Sequence, residues 1–173
     1  MSDDLRSFVI REIRIYFRGE YRTSLLFLLI GIVSVAGGVA AIVTQYLVLL
    51  GAALPLLLFG GLYIAMAVQI LKRIPVRMRL LCERLPQDPA LAREECDRID
   101  RLSAKWHRMH QIVIFLFAAG LLALVGCVIF KSQGFVYGLA LALVGHSAID
   151  IVVLLVSRFR TQLYKHAIEK MLI

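Results

Sequence analysis

Between Arg22 and Lys72 the chain runs for 49 residues without one charged side chain. A helix needs roughly 20 apolar residues to cross the hydrocarbon of a bilayer, so this stretch holds two crossings. Thr44, Gln45, Gly51 and Pro55 interrupt it, which places the spans at 24–45 and 50–71. A second pair follows at 109–130 and 135–157, parted by Lys131, Ser132, Gln133 and Gly134. The expected fold is all-α, an integral membrane four-helix bundle of two tight hairpins in a single membrane domain. The hydrophobic content of 60% lies far outside the range of soluble domains.

The chain carries 20 Lys and Arg against 12 Asp and Glu, a net charge of +8. In a soluble protein that excess would point to nucleic acid, but its placement points to topology. Five arginines (6, 11, 14, 18 and 22) precede the first span, ten basic residues fall from Lys72 to Arg108 and four from Arg158 to Lys170, leaving Lys131 alone on the other side. Short cytoplasmic segments carry the Lys and Arg excess. The expectation is a multi-pass protein of the bacterial inner (cytoplasmic) membrane, with both termini and the central linker cytoplasmic and anionic lipid headgroups facing the basic side. The first apolar run starts late, behind Asp3, Asp4, Glu12 and Glu20, and is too long for a signal-peptide core, so no cleaved leader is expected. Cys82 and Cys96 then fall in the cytoplasmic linker and Cys127 in a span, three free thiols with no disulfide framework.

Ahead of the first span, apolar residues at 5, 8, 9, 13, 16 and 17 form a helical stripe among arginines. Residues 3–22 therefore read as an interfacial amphipathic helix, with Ser2 as a cap and Asp3 and Asp4 at its positive end; a straight extension of the first span is the alternative. The linker, 72–108, contains a helix announced by Asp88 and Pro89, an N-cap followed by proline at the first helical position. Leu91, Ile99, Leu102 and Trp106 give it an apolar stripe, and Glu94 with Arg98 and Asp97 with Arg101 are i,i+4 pairs on the opposite face. Trp106, the only tryptophan, marks the membrane interface. A basic helix, 158–173, closes the chain.

The two halves resemble each other. A shift of 89 aligns Gly31 with Gly120, Gly37 with Gly126 and Phe17 with Trp106, and a shift of 85 aligns Gly60 with Gly145 and Arg73 with Arg158. This is the pattern of a parallel repeat about an axis along the membrane normal. In the last span the GxxxG of Gly134 and Gly138 continues at the same spacing through Ala142, His146 and Asp150. Small residues in such a row let membrane helices approach closely; Gly31, Gly37, Gly120 and Gly126 are candidates for the same role.

Asp150 is the only acidic residue in any span. A charge at membrane depth costs roughly 2.5–3.5 kcal/mol even on the translocon scale, so the carboxyl must be protonated, paired or hydrated. His146, one turn away, is its simplest partner as a neutral imidazole donor. Two roles fit the pair: a proton or ion site, or a polar clasp between helices through Gln69 on the second span or Ser34 on the first.

Elsewhere the chemistry is sparse. His107 and His110 form an i,i+3 pair without the cysteine or carboxylate that would complete a zinc site, and His146 has no intramembrane histidine opposite it for haem. There is no phosphate-binding glycine loop, metalloprotease helix or nucleophile elbow. No enzymatic activity, metal or cofactor is expected.

From PLLLFGGLYIAMAVQILKR through LPQDPALAREECDRIDRLSAKW and GLLALVG to SRFRTQLYKHAIEKML, residues 54–172 resemble a family of small uncharacterised four-helix bacterial membrane proteins. That family has a proline-leucine start to the second span, a DPA-type linker helix, an aromatic before the third span and an arginine-rich tyrosine-containing end. This chain departs from it near Leu154, where the pattern has an acidic residue. Some of those proteins lie beside secreted toxins and act as immunity proteins. The resemblance implies a non-enzymatic protein working by helix–helix binding, in the form of immunity against a membrane-acting toxin. A small proton- or ion-coupled transporter or channel protomer, dimerising through Gly134 and Gly138 with Asp150 and His146 on its path, is the alternative, and a scaffold subunit of a membrane complex a third.

Overall fold

The structure, a computed structural model, describes residues 3–131 and 134–172. The proposed cap Ser2 and the turn residues Ser132 and Gln133 lie outside them. Four helices make up the chain: α1 Asp3–Thr44, α2 Leu47–Arg84, α3 Pro89–Ile129 and α4 Phe135–Leu172. Each is long and apolar enough to cross a membrane, and no strand occurs among the described residues. The protein is an all-α, multi-pass membrane bundle.

The helices are longer than a bilayer requires. At about 1.5 Å per residue the 42 residues of α1 reach about 63 Å, roughly twice a 30 Å hydrocarbon core. The excess gathers at the basic end. There the apolar residues ahead of the first span do not lie in an interface: α1 runs unbroken through them, and Val9, Ile13, Tyr16 and Phe17 are buried against Ile74, Leu81, Leu85, Ile99, Tyr164 and Ile168. Packing against three other helices removes their apolar surface from water more completely than a headgroup layer could, which corrects the interfacial placement of 3–22.

Polar contacts staple this outer core. Asp88 caps α3 as its sequence suggests, its carboxylate accepting from the Ala90 and Leu91 amides at 2.9 and 3.2 Å. Glu95, only 3% exposed, accepts from Arg77 of α2 at 2.6 Å and from Arg98 at 2.6 and 2.9 Å, and Tyr164 of α4 donates to it at 3.4 Å. Arg98 thus pairs with Glu95 rather than with Glu94, because only Glu95 faces inward, where the arginine gains more. Tyr16 stacks on Tyr164 at 4.3 Å and donates to Glu20 at 2.7 Å. Burial, and then the neighbouring carboxylates Glu20 and Glu95, pushes both phenols above their ordinary pKa, so they remain neutral donors.

Inside the membrane segments backbones touch. α2 and α4 both run from the hairpin end toward the basic end, and they meet in parallel at one constant register. A Cβ on Gly51 would strike the Phe135 carbonyl, and one on Gly138 would strike the Val48 carbonyl. Further along, Phe59 stacks on His146 at 5.1 Å and Tyr63 donates to Asp150 at 2.9 Å. The last two pairs are 87 residues apart and the first two 84 and 90, symmetric about that same 87, so the contact is reciprocal about an axis along the membrane normal. The glycine-based shift of 85 for these helices is two residues off this register, and Gly145 faces open space.

The row from Gly134 to Asp150 therefore packs within the chain, Gly134 on Leu47, Gly138 on Val48 and Ala52, His146 on Phe59 and Asp150 on Tyr63, and leaves Gly134 and Gly138 unavailable as a dimer seam. Gly51 and Pro55 belong to α2 and do not break it; the turn is only Gln45 and Tyr46, with Gln45 at φ 55°. A proline is tolerated in a membrane helix where neighbouring groups re-satisfy the backbone. Gly31 sits against Gly60 between α1 and α2, and Gly120 against Val144 between α3 and α4. Gly37 and Gly126 do not serve this purpose: Gly37 is exposed and its neighbour Gly38 makes the contact, while Gly126 faces open space.

α1 leans on both α2 and α4, whereas α3 packs on α4 and barely approaches α2. The symmetry of the central pair is broken there, and a cleft remains.

Two predictions follow from these contacts. Gly138→Val forces two backbones apart and is expected to cost about 1–3 kcal/mol or more, seen as a lower melting temperature in detergent, while Gly126→Ala leaves melting unchanged or slightly raised; equal melting of both variants would refute the α2–α4 contact. Glu95→Ala removes charge-assisted hydrogen bonds of about 1.5–3 kcal/mol, against under about 0.5 kcal/mol for the exposed Glu94→Ala, measured in the same way.

Candidate functional site: an intramembrane cavity

The cleft is a cavity of about 500 Å³ reached by all four helices. α1 contributes Thr23 and Phe27, α2 Phe59 and Tyr63, α3 Trp106 and Met109, and α4 Asp150 and Arg160. Its walls are overwhelmingly apolar and include the aromatic rings of Tyr16, Phe27, Phe59, Tyr63 and Trp106. On the flank between α2 and α3, Leu62, Met66 and Ile112 are 51%, 42% and 59% exposed, so the cavity opens sideways into the hydrocarbon.

Asp150 lies on this wall, ten residues and thus about 15 Å along α4 from Arg160, at the level of the hydrocarbon. Its one hydrogen bond among the described residues is the one from Tyr63. The anticipated clasp to the second span exists, but through Tyr63 and not through Gln69 or Ser34. Gln69 is exposed, on a face of α2 turned from α4, and Ser34 is buried in the α1–α2 crossing against Gly60.

His146 does not donate to Asp150. Its ring is 5% exposed, stacked on Phe59 and 5.5 Å from Tyr63, and its Nδ1 is buried without a hydrogen-bond partner. It stands behind the cavity wall, holding the rings that line it. Phe27 braces Tyr63 from α1 at 5.1 Å, so the hydroxyl that meets Asp150 is positioned from three helices.

At the basic end the mouth is charged. Arg160 crosses from α4 to α1, donating from Nη2 to Thr23 Oγ1 at 2.9 Å. Gly19 admits it: a Cβ there would lie 2.5 Å from Nη1 and 2.7 Å from Cδ. Lys105, Glu20 and Trp106 stand on the same mouth. Trp106 is thus a lining residue as well as an interface marker.

Tyr63, Phe59, Gly51, Gly19 and Arg160 were not singled out from sequence. The signal that finds the first three is the row 47, 51, 55, 59, 63, with the spacing of the row 134 to 150. Arg160 and Gly19 carry no such signal, since they meet only through the tilt of α1 against α4. Among the described residues no three His, Cys, Asp or Glu side chains come together as a metal site would require; His107 reaches only Gln111, at 3.5 Å.

Removing the Tyr63 hydroxyl isolates this difference. Tyr63→Phe keeps the ring and is expected to cost about 0.6–1.7 kcal/mol, the range of interhelical hydrogen bonds in membranes, whereas Gln69→Leu costs nothing measurable in detergent melting. A larger loss for Gln69→Leu would mean that α2 presents another face to α4.

Comparison with protein-family models, with curated proteins and with solved structures finds no match to this chain.

Proposed function

We propose that this protein binds a small amphipathic cation within the bilayer, in the four-helix cavity, and that Asp150 recognises it in exchange for a proton, the binding step of a small coupled transporter. The observation that carries this reading is that the one carboxyl group of the spans lines an aromatic cavity open to lipid instead of being sealed in packed core. A carboxylate at that depth is stabilised by whatever neutralises it, a proton or a bound cation. Aromatic faces add attraction for a desolvated cation of up to about 2 kcal/mol. Apolar walls select a guest that is greasy apart from its charge.

Size supports the same guest. A volume of about 500 Å³ suits a drug-sized molecule, for which pockets run to roughly 300–1,000 Å³, and is far too small for a helix about 10–12 Å across. A toxin segment of the kind the immunity reading requires would have to use the outer, lipid-facing ridges, and no feature of those ridges selects a partner. In this role the protein sits in a bacterial inner membrane with its basic end cytoplasmic, a reading supported by the Lys and Arg excess, and carries out no covalent chemistry.

Trp106 supplies the readout, being the only tryptophan and on the cavity wall. Titration with tetraphenylphosphonium is expected to change its emission saturably, with weakening at acidic pH as protons compete for Asp150. Asp150→Asn weakens binding roughly tenfold or more, about 1.4 kcal/mol, and abolishes the pH dependence. Wild-type affinity in Asp150→Asn would sink the reading, and so would the lack of proton-driven uptake of the cation into liposomes that bind it.

A further inference from the structure

The cation reading leaves the mouth of the cavity unused, and the mouth has the opposite charge. Arg160 offers five N–H donors, and its hydrogen bond among the described residues is the single one to Thr23. Its Nη1 is buried over Gly19 without a partner. The acid nearest in the lining, Glu20, accepts instead from Tyr16, and Arg160 forms no ion pair among the described residues, although Glu95 at the same end holds two and Asp100 and Glu169 share Lys165. Lys105, exposed and likewise without an ion pair, lines the same mouth.

Below these cations the walls turn apolar at once. Leu102, Met109 and Ile112 of α3 face Leu62, Met66 and Ile70 of α2 across the lateral opening. Trp106 stands among them at the mouth, the level that tryptophan favours between headgroup and hydrocarbon. The arrangement has the polarity of a phospholipid: a positive, donor-rich end at the interface and a greasy slot leading away from it into the leaflet. Basic pockets between membrane helices suit anionic headgroups in this way, and arginine suits phosphate because its planar fork can donate two parallel bonds.

We infer that an anionic glycerophospholipid from the leaflet at the basic end occupies this mouth, its phosphate held by Arg160 and Lys105 and one acyl chain lying in the opening between α2 and α3. The occupant is a lipid rather than free phosphate because the cations adjoin the slot that takes a chain. The headgroup contacts stand apart from Asp150, which lies about 15 Å deeper, while the acyl chain shares the lateral flank of the same cavity; the headgroup contacts can therefore fail or hold whatever Asp150 binds. Gly19 matters to the lipid through Arg160, since a side chain there would occupy the place of the guanidinium.

The test is native mass spectrometry of the full chain, delipidated in mild detergent and then titrated with phosphatidylglycerol or phosphatidylcholine. One phosphatidylglycerol per chain is expected to survive transfer to the gas phase, and phosphatidylcholine to be lost. Lys105→Gln and Arg160→Gln should each lower phosphatidylglycerol occupancy about tenfold, the loss of a charge-assisted contact, and Arg93→Gln, at an exposed arginine outside the cavity, should leave it unchanged. Should Arg160→Gln disturb the packing of α1 on α4, the exposed Lys105→Gln decides by itself. Equal retention of the two lipids, unchanged occupancy in Lys105→Gln, or saturation by glycerol 3-phosphate that displaces the lipid would each overturn the inference.

Discussion

Everything inside the membrane half of this molecule hangs on one approach of two backbones. Gly51 and Gly138 let the α2 and α4 main chains touch at the hairpin end, each glycine against a carbonyl of the other helix. In hydrocarbon there is no hydrophobic gain from bringing helices together, so association must come from close packing and interhelical hydrogen bonds. Once the helices are fixed there, their parallel course sets the register for the next 12 residues. Phe59 falls on His146 and Tyr63 on Asp150 because Gly51 falls on Gly138.

The cavity is a consequence of the same geometry. α1 closes against α2 and α4, helped by Gly31, Gly60 and the bridge from Arg160 to Thr23. α3 has no equivalent way to approach α2 within the membrane, and the two are joined beyond it through Arg77 and Glu95. A pair of helices tied at one end and separate along the spans leaves a slot. Asp150 then lines open space as well as meeting Tyr63, so a group whose charge is costly at that depth is not sealed in packed core.

The two halves of the bundle divide the work of stability. Large apolar side chains form the core outside the membrane, from Val9 to Ile168, where water supplies the driving force. In the spans many Leu, Ile and Val side chains turn outward to lipid, and small residues, stacked aromatic rings and the hydrogen bond from Tyr63 to Asp150 make contacts between helices. The first 22 residues leave two placements open for this reason, and the straight extension of the first span is the one α1 adopts: a stripe among arginines looks the same whether headgroups or three helices cover it.

Four apolar runs determine by themselves that the chain is helical and how often it crosses, because charge and unpaired backbone are costly in hydrocarbon wherever they fall, and Asp88 before Pro89 determines where α3 starts, because a cap is a local contact. The polar row from Gly134 to Asp150 is likewise visible as a row. Its partner was not: Gln69 is the more polar side chain, but Tyr63 lies at the register that Gly51 imposes, and register is a property of two helices together. The cavity, the isolation of His146 behind its wall and the meeting of Arg160 with Gly19 were decided only in the tertiary structure, since each depends on the angles between helices, which local energetics leave open.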